Sequence, residues 1–188
     1  MGYVLGANGS VEKNPTVVYG SWLAADGTPA ISPFTKTIFE DAAVNLIVTG
    51  HQPHGDAPLP ISVDSDKLIV TGDTSYSGDT KWEESLHPLR RSRGRDGSLS
   101  GRGQVAVSEV LIELDGDDLL SVRSRGVLSD GVEYDTELWG DETAAAIGTE
   151  VEVDGKKWWV KADLGDGQFL GARAEGWSIT NTILTDIN

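Results

Sequence analysis

The chain has 188 residues, 30 acidic against 15 basic side chains for a formal net charge of −15, and no cysteine. Disulfides, zinc–thiolate centres and thiol catalysis are therefore excluded, and a surface this acidic does not suit tight nucleic-acid binding. Hydrophobic residues make up 38% of the sequence and six tryptophans are spread along it, enough for one globular domain over residues 1–188.

Aspartate outnumbers glutamate by 18 to 12, and there are only 7 lysines. Short carboxylates at that density fit a cell interior at molar salt, where the screening length falls to about 3 Å and self-repulsion is damped. A halophilic source is the expectation. No apolar run approaches the roughly 20 residues of a membrane helix, and the opening MGYVLGANGS lacks the regions of a secretion signal, so no membrane partner is expected.

In chain order, TVVYGSW (16–22) reads as a first strand. SPFTKTIFEDAA (32–43) reads as a helix, with Ser32 as N-cap and Pro33 at the first helical position. AVNLIVT (43–49) is a strand candidate. HQPHGDAPLPISV then has a different, proline-rich texture before the short strand KLIVT (67–71). Residues 72–104 carry few periodic signals, many glycines and a cluster of arginines, and read as an extended loop or arm within the domain.

Beyond the arm the period of two returns. VAVSEVLIEL (105–114), LLSVRSRGVL (119–128) and VEYDTELW (132–139) read as strands, the last placing Val132, Tyr134, Thr136 and Leu138 on one face. WGDETAAAIG (139–148) reads as a second short helix, with Asp141 as cap and Gly148 as stop. TEVEVDGKKWWVKA (149–162) is a hairpin about Asp154-Gly155, in which Trp158 and Trp159 must point to opposite faces. GQFLGAR (167–173) and WSITNTIL (177–184) follow, the latter setting Ile179 and Ile183 against Thr180 and Thr182. The expected fold is mainly β, an antiparallel sandwich or barrel with one or two short helices and the 72–104 arm.

No motif of a recognisable enzyme accompanies these elements, and no catalytic residue or cofactor is assigned. His51 and His54 form an H-x-x-H pair with His87 remote, but Pro53 prevents a helical arrangement, so they read as solvated loop histidines instead of metal ligands. Asp115, Asp117 and Asp118, and likewise Asp163 and Asp166, lack a calcium-loop spacing and read as hairpin turns.

The unusual feature is LRRSRGRDGSLSGR (89–102), which holds Arg90, Arg91, Arg93, Arg95 and Arg102 in an otherwise acidic chain. The planar guanidinium pairs carboxylates bidentately, and the nearest carboxylate-rich surface is a second copy of the same protein. An arm on one copy meeting a different surface on the next is a heterologous contact, which builds rings or stacks. The five arginines are accordingly the candidate inter-subunit residues.

The opening MGYVLGANGSVEKNPTVVYGSW, the long arm after the first strands and the closing EGWSITNTI resemble the layout of tail tube proteins of tailed viruses. The GRDG within RRSRGRDGSL is similar to the neighbouring distal-tail family. The resemblance implies a non-enzymatic virion structural protein, assembled in the host cytoplasm into stacked hexameric rings. Its partners would be itself and other virion proteins, with an acidic lumen limiting DNA to passing contact. A capsid-decorating or turret protein, and an intracellular β-barrel holding a small ligand among Trp and Tyr side chains, are the alternatives.

Overall fold

A computed structural model describes residues 22, 24, 28–50, 54–74, 106–128, 131–175 and 178–187. They form one helix, α1 (Pro33–Asp41), and ten strands. The strands are β1 (Leu46–Thr49), β2 (Leu59–Asp64), β3 (Lys67–Thr71), β4 (Val107–Asp115), β5 (Asp118–Val127), β6 (Glu133–Trp139), β7 (Glu150–Val153), β8 (Lys156–Gly165), β9 (Gln168–Glu175) and β10 (Ser178–Thr185). The mainly β expectation holds as a sandwich-like arrangement: the strands make three sheets, ordered β1-β3-β2, β4-β5-β6 and β10-β9-β8-β7, that do not close into a barrel. All pairings are antiparallel except β1 with β3.

Local chemistry accounts for most of these elements. The Ser32 hydroxyl accepts the Thr35 N–H at 3.1 Å, capping a helix that begins at Pro33. Asp154-Gly155 and Asp166-Gly167 turn the β7–β8 and β8–β9 hairpins, all four residues at positive φ, as a two-residue turn of matching twist requires.

One core joins the sheets. Leu68 and Val70 of β3 pack with Val122, Leu138, Ile147, Val160 and Leu184, one or more from each of the other two sheets. Ile69 points the other way, into a second cluster with Leu59, Ile61, Val63 and Phe39 of α1. Strand β3 is thus covered on both faces, which explains why Leu68, Ile69 and Val70 form an apolar run instead of an alternation.

The structure departs from the sequence reading in three places. Strand β2 lies inside the proline-rich stretch; it tolerates Pro60 because it is an edge strand, where a missing N–H costs no ladder bond. Residues 140–149 are turns, not a second helix: Gly140 and Gly148 stand at φ 144° and 72°, and the Glu137 carboxylate receives the Glu142 N–H at 2.7 Å. Gly148 instead bridges two sheets, its carbonyl accepting the Ser62 N–H and its own N–H donating to Val160, both at 2.9 Å. In β10 the inward side is the reverse of the one the isoleucines indicate, since Leu184 is buried in the shared core while Ile183 is 47% exposed.

Candidate subunit-contact surfaces and a buried lysine

The register of β4-β5-β6 lines up Glu109, Arg125 and Asp135 across three strands, and next to them Leu111, Arg123 and Glu137. Charged residues at these positions share the face opposite Tyr134, Thr136 and Leu138, because side chains alternate along a strand. Arg123 donates through Nε and Nη2 to Asp135 Oδ1 at 3.1 and 2.8 Å, and its Nη1 lies 3.6 Å from Glu137 Oε2. Arg125 Nε donates to Glu109 Oε1. The hydrogen bond to Asp135 raises the Arg123 pKa further above its already high value. Exposed pairs like these add little stability singly, but they fix where the charges stand.

Carboxylates outnumber cations on this face. A cleft of about 360 Å³ is lined by Glu133, Asp135, Glu137, Glu142 and Asp163 around the single cation Arg123. On the buried side of the same sheet the Tyr134 hydroxyl bonds Ser108 at 2.7 Å and Ser124 at 3.0 Å. Burial raises the Tyr134 pKa, the two serine bonds opposing it in part, so the phenol stays protonated as a structural tie.

The far end of the β4–β5 hairpin is different again. Its two-residue turn, Gly116-Asp117, sits between Asp115 and Asp118, with Gly116 at φ 61°. The acidic residues here do mark a turn, as expected. Beside it Ile112, Leu114 and Leu120 are 46%, 59% and 49% exposed.

A second groove, about 320 Å³, has the opposite charge. His54, Lys156, Lys157, Trp158, Trp159 and Arg173 line it with Glu150 as the one carboxylate. The Arg173 guanidinium lies 5.9 Å from the centre of the Trp158 ring, each residue next in its chain to the paired Trp159 and Ala172 of β8 and β9. Lys157 Nζ donates to Glu150 Oε1 at 2.6 Å. The two tryptophans do diverge, Trp158 toward the shared core and Trp159 toward the helix side, where its indole N–H donates to the Pro60 carbonyl at 2.8 Å.

Behind this groove is a lysine that sequence reasoning passed over. The β8–β9 register slips between Val160 and Ala162, so Lys161 sits at a bulge and turns inward. It is fully buried, and its ammonium donates to the His54 carbonyl at 2.7 Å. Desolvation pulls its pKa down to about 7, partly opposed by the negative charge of Asp56. His54 and Asp56 are themselves 1% and 2% exposed, so His54 is not a solvated loop residue. Between them Gly55, at φ 97°, leaves no room for a Cβ, which would stand 2.2 Å from the Asn181 amide nitrogen.

The chain matches no protein-family model, no curated protein and no solved structure.

Arg90, Arg91, Arg93, Arg95 and Arg102 lie outside the described residues, as do His51 and His87. Among the described residues no group of three or more His, Asp or Glu side chains is placed to hold a metal ion, and no helix is long and apolar enough to cross a membrane. The acidic cleft and the cationic groove combine residues of different strands that only strand pairing and packing bring together, whereas the hairpin end is contiguous in sequence.

Proposed function

We propose that this chain is a virion structural protein of a halophilic tailed virus, a tail tube or related tail component, that assembles with copies of itself. In this reading Arg90, Arg91, Arg93, Arg95 and Arg102 of one copy seat on the acidic cleft of the next. The protein acts by assembly and not by catalysis, with other virion proteins as its further partners. The observation that carries the reading is the cleft of five carboxylates around Arg123, an acceptor of the sign and shape that a run of guanidinium groups needs. The sandwich-like β architecture agrees with the tail-protein layout of the sequence.

The test is mass by sedimentation and light scattering in molar salt. The wild-type protein is expected to form large oligomers. Replacing Arg90, Arg91, Arg93 and Arg95 together with Ser should leave a folded monomer, with far-UV circular dichroism unchanged. Reversing Glu133 and Asp135 to Lys should do the same from the acceptor side. A wild-type protein that stays monomeric at every salt and concentration rejects the proposal.

A further inference from the structure

Two described surfaces of this molecule are complementary to each other. The end of the β4–β5 hairpin presents Leu114 and Leu120, both about half exposed, beside Asp115, Asp117 and Asp118. The groove on β8 and β9 presents Trp158 and Trp159 beside Lys156, Lys157 and Arg173. One is apolar and acidic, the other aromatic and cationic.

We infer that the hairpin end of one copy docks into the Lys156–Lys157–Trp158–Arg173 groove of a second copy. This inference rests on the assembly reading above and names a contact within it that is independent of the arginine-rich stretch.

The choice of a second copy follows from charge. In a chain of net charge −15 a cationic groove is scarce, and molecules of this kind repel one another over most of their surface. A site where acid meets base is where two copies can approach. Lys156 is exposed and makes no ion pair among the described residues, so an incoming carboxylate need not displace a partner from it. Arg173 holds its guanidinium against the Trp158 ring, a flat platform of the kind that anchors interfaces.

The leucines supply what charge cannot. At molar salt the ionic part of the contact is screened to a few ångströms, whereas burial of apolar surface persists. Leu114 is 59% and Leu120 49% exposed on a hairpin whose remaining side chains at the turn are acidic, so the two are not part of the protein's own core. The hairpin and the groove differ, so the contact is heterologous and each copy can offer one while receiving the other. That is the geometry of a ring or a stack.

Three paired variants test this by sedimentation velocity at the lowest salt that keeps the protein folded. Asp117→Lys with Asp118→Lys, and separately Lys156→Glu with Lys157→Glu, should each raise the concentration needed for assembly by about tenfold or more. Combining all four substitutions should bring it back to within about threefold of wild type, because the charges then face each other with signs exchanged. Leu114→Ser with Leu120→Ser should weaken assembly similarly without any change of charge. Circular dichroism and thermal melting confirm that each variant is folded.

Paired variants that assemble like wild type, or a fourfold variant that is folded but does not recover, overturn the inference. If the arginine-to-serine protein is monomeric while the hairpin and groove variants still assemble, the hairpin contact is wrong and the assembly reading stands. A monomeric wild type overturns both.

Discussion

Raising the pH from 7 to 10 should stabilise the folded protein by about 4 kcal/mol through Lys161 alone, a gain that Lys161→Met should abolish. In the unfolded chain this amine keeps its proton up to the ordinary lysine pKa of 10.5; in the folded chain it releases it near 7. Between those values the unfolded state binds more protons, so stability climbs with pH; below 7 and above 10.5 this group contributes no slope. The origin is the cost of placing an ammonium where water cannot reach, which Asp56 offsets only in part. Urea denaturation of wild type and Lys161→Met at fixed salt, in steps from pH 6 to 10, measures it. The difference between the two curves isolates the lysine from the general repulsion of an acidic surface. Parallel curves would show that the amine titrates normally.

Gly126→Ala in the β4-β5-β6 sheet should cost about 3 kcal/mol or more, acting first on β4. Gly126 pairs with Ser108, one pair in from the Val107–Val127 end of the β4–β5 ladder, and a Cβ there would stand 2.0 Å from the Val107 carbonyl oxygen and 2.8 Å from the Ser108 Cα. Both are backbone atoms, so no side-chain rotation relieves the contact and the edge strand must move away. Amide hydrogen exchange should report this directly: protection falls along Val107–Asp115 while β7–β8 keeps its own. Equal loss in both hairpins would mean that the sheet does not open locally. The variant should also assemble poorly, since it loosens the strand that carries Leu114.

What the sequence revealed follows from which physical signals are local. Ser32 before Pro33 marks a helix start by itself, and Asp154-Gly155 between two alternating runs marks a hairpin, because cap and turn chemistry act within a few residues. The alternation in 132–139 put Val132, Tyr134, Thr136 and Leu138 on one face; Tyr134, Thr136 and Leu138 are buried there, while Val132, before the strand begins, is 39% exposed. Strand β2 was hidden because Pro58 and Pro60 argue against a strand unless one knows that it lies at a sheet edge. The alanines of 144–146 looked helical, but two glycines at positive φ and the tie from Gly148 to neighbouring strands overrode so short a run.

The candidate sites were less visible. Lys161 follows Trp-Trp-Val in a strand, and a charged residue there reads as pointing to water; only the register slip and the cover of His54 to Asp56 bring it inside. The acidic cleft combines Glu133 with Asp163, residues that meet because β6 packs beside β8. The arginine cluster, by contrast, is plain in the sequence as a break in charge.

The bridge at Gly148 has a mechanical consequence. Ser62, Gly148 and Val160 form a continuous line of backbone hydrogen bonds from β2 to β8, and the Trp159 indole adds a parallel tie to Pro60. Apolar layers in contact slide over one another at little cost, whereas such bonds must be broken one by one before the layers shear. Tension applied to this molecule would therefore pass from one sheet to the other through the main chain, and the 140–149 segment would act as a rivet and not as a slack connection.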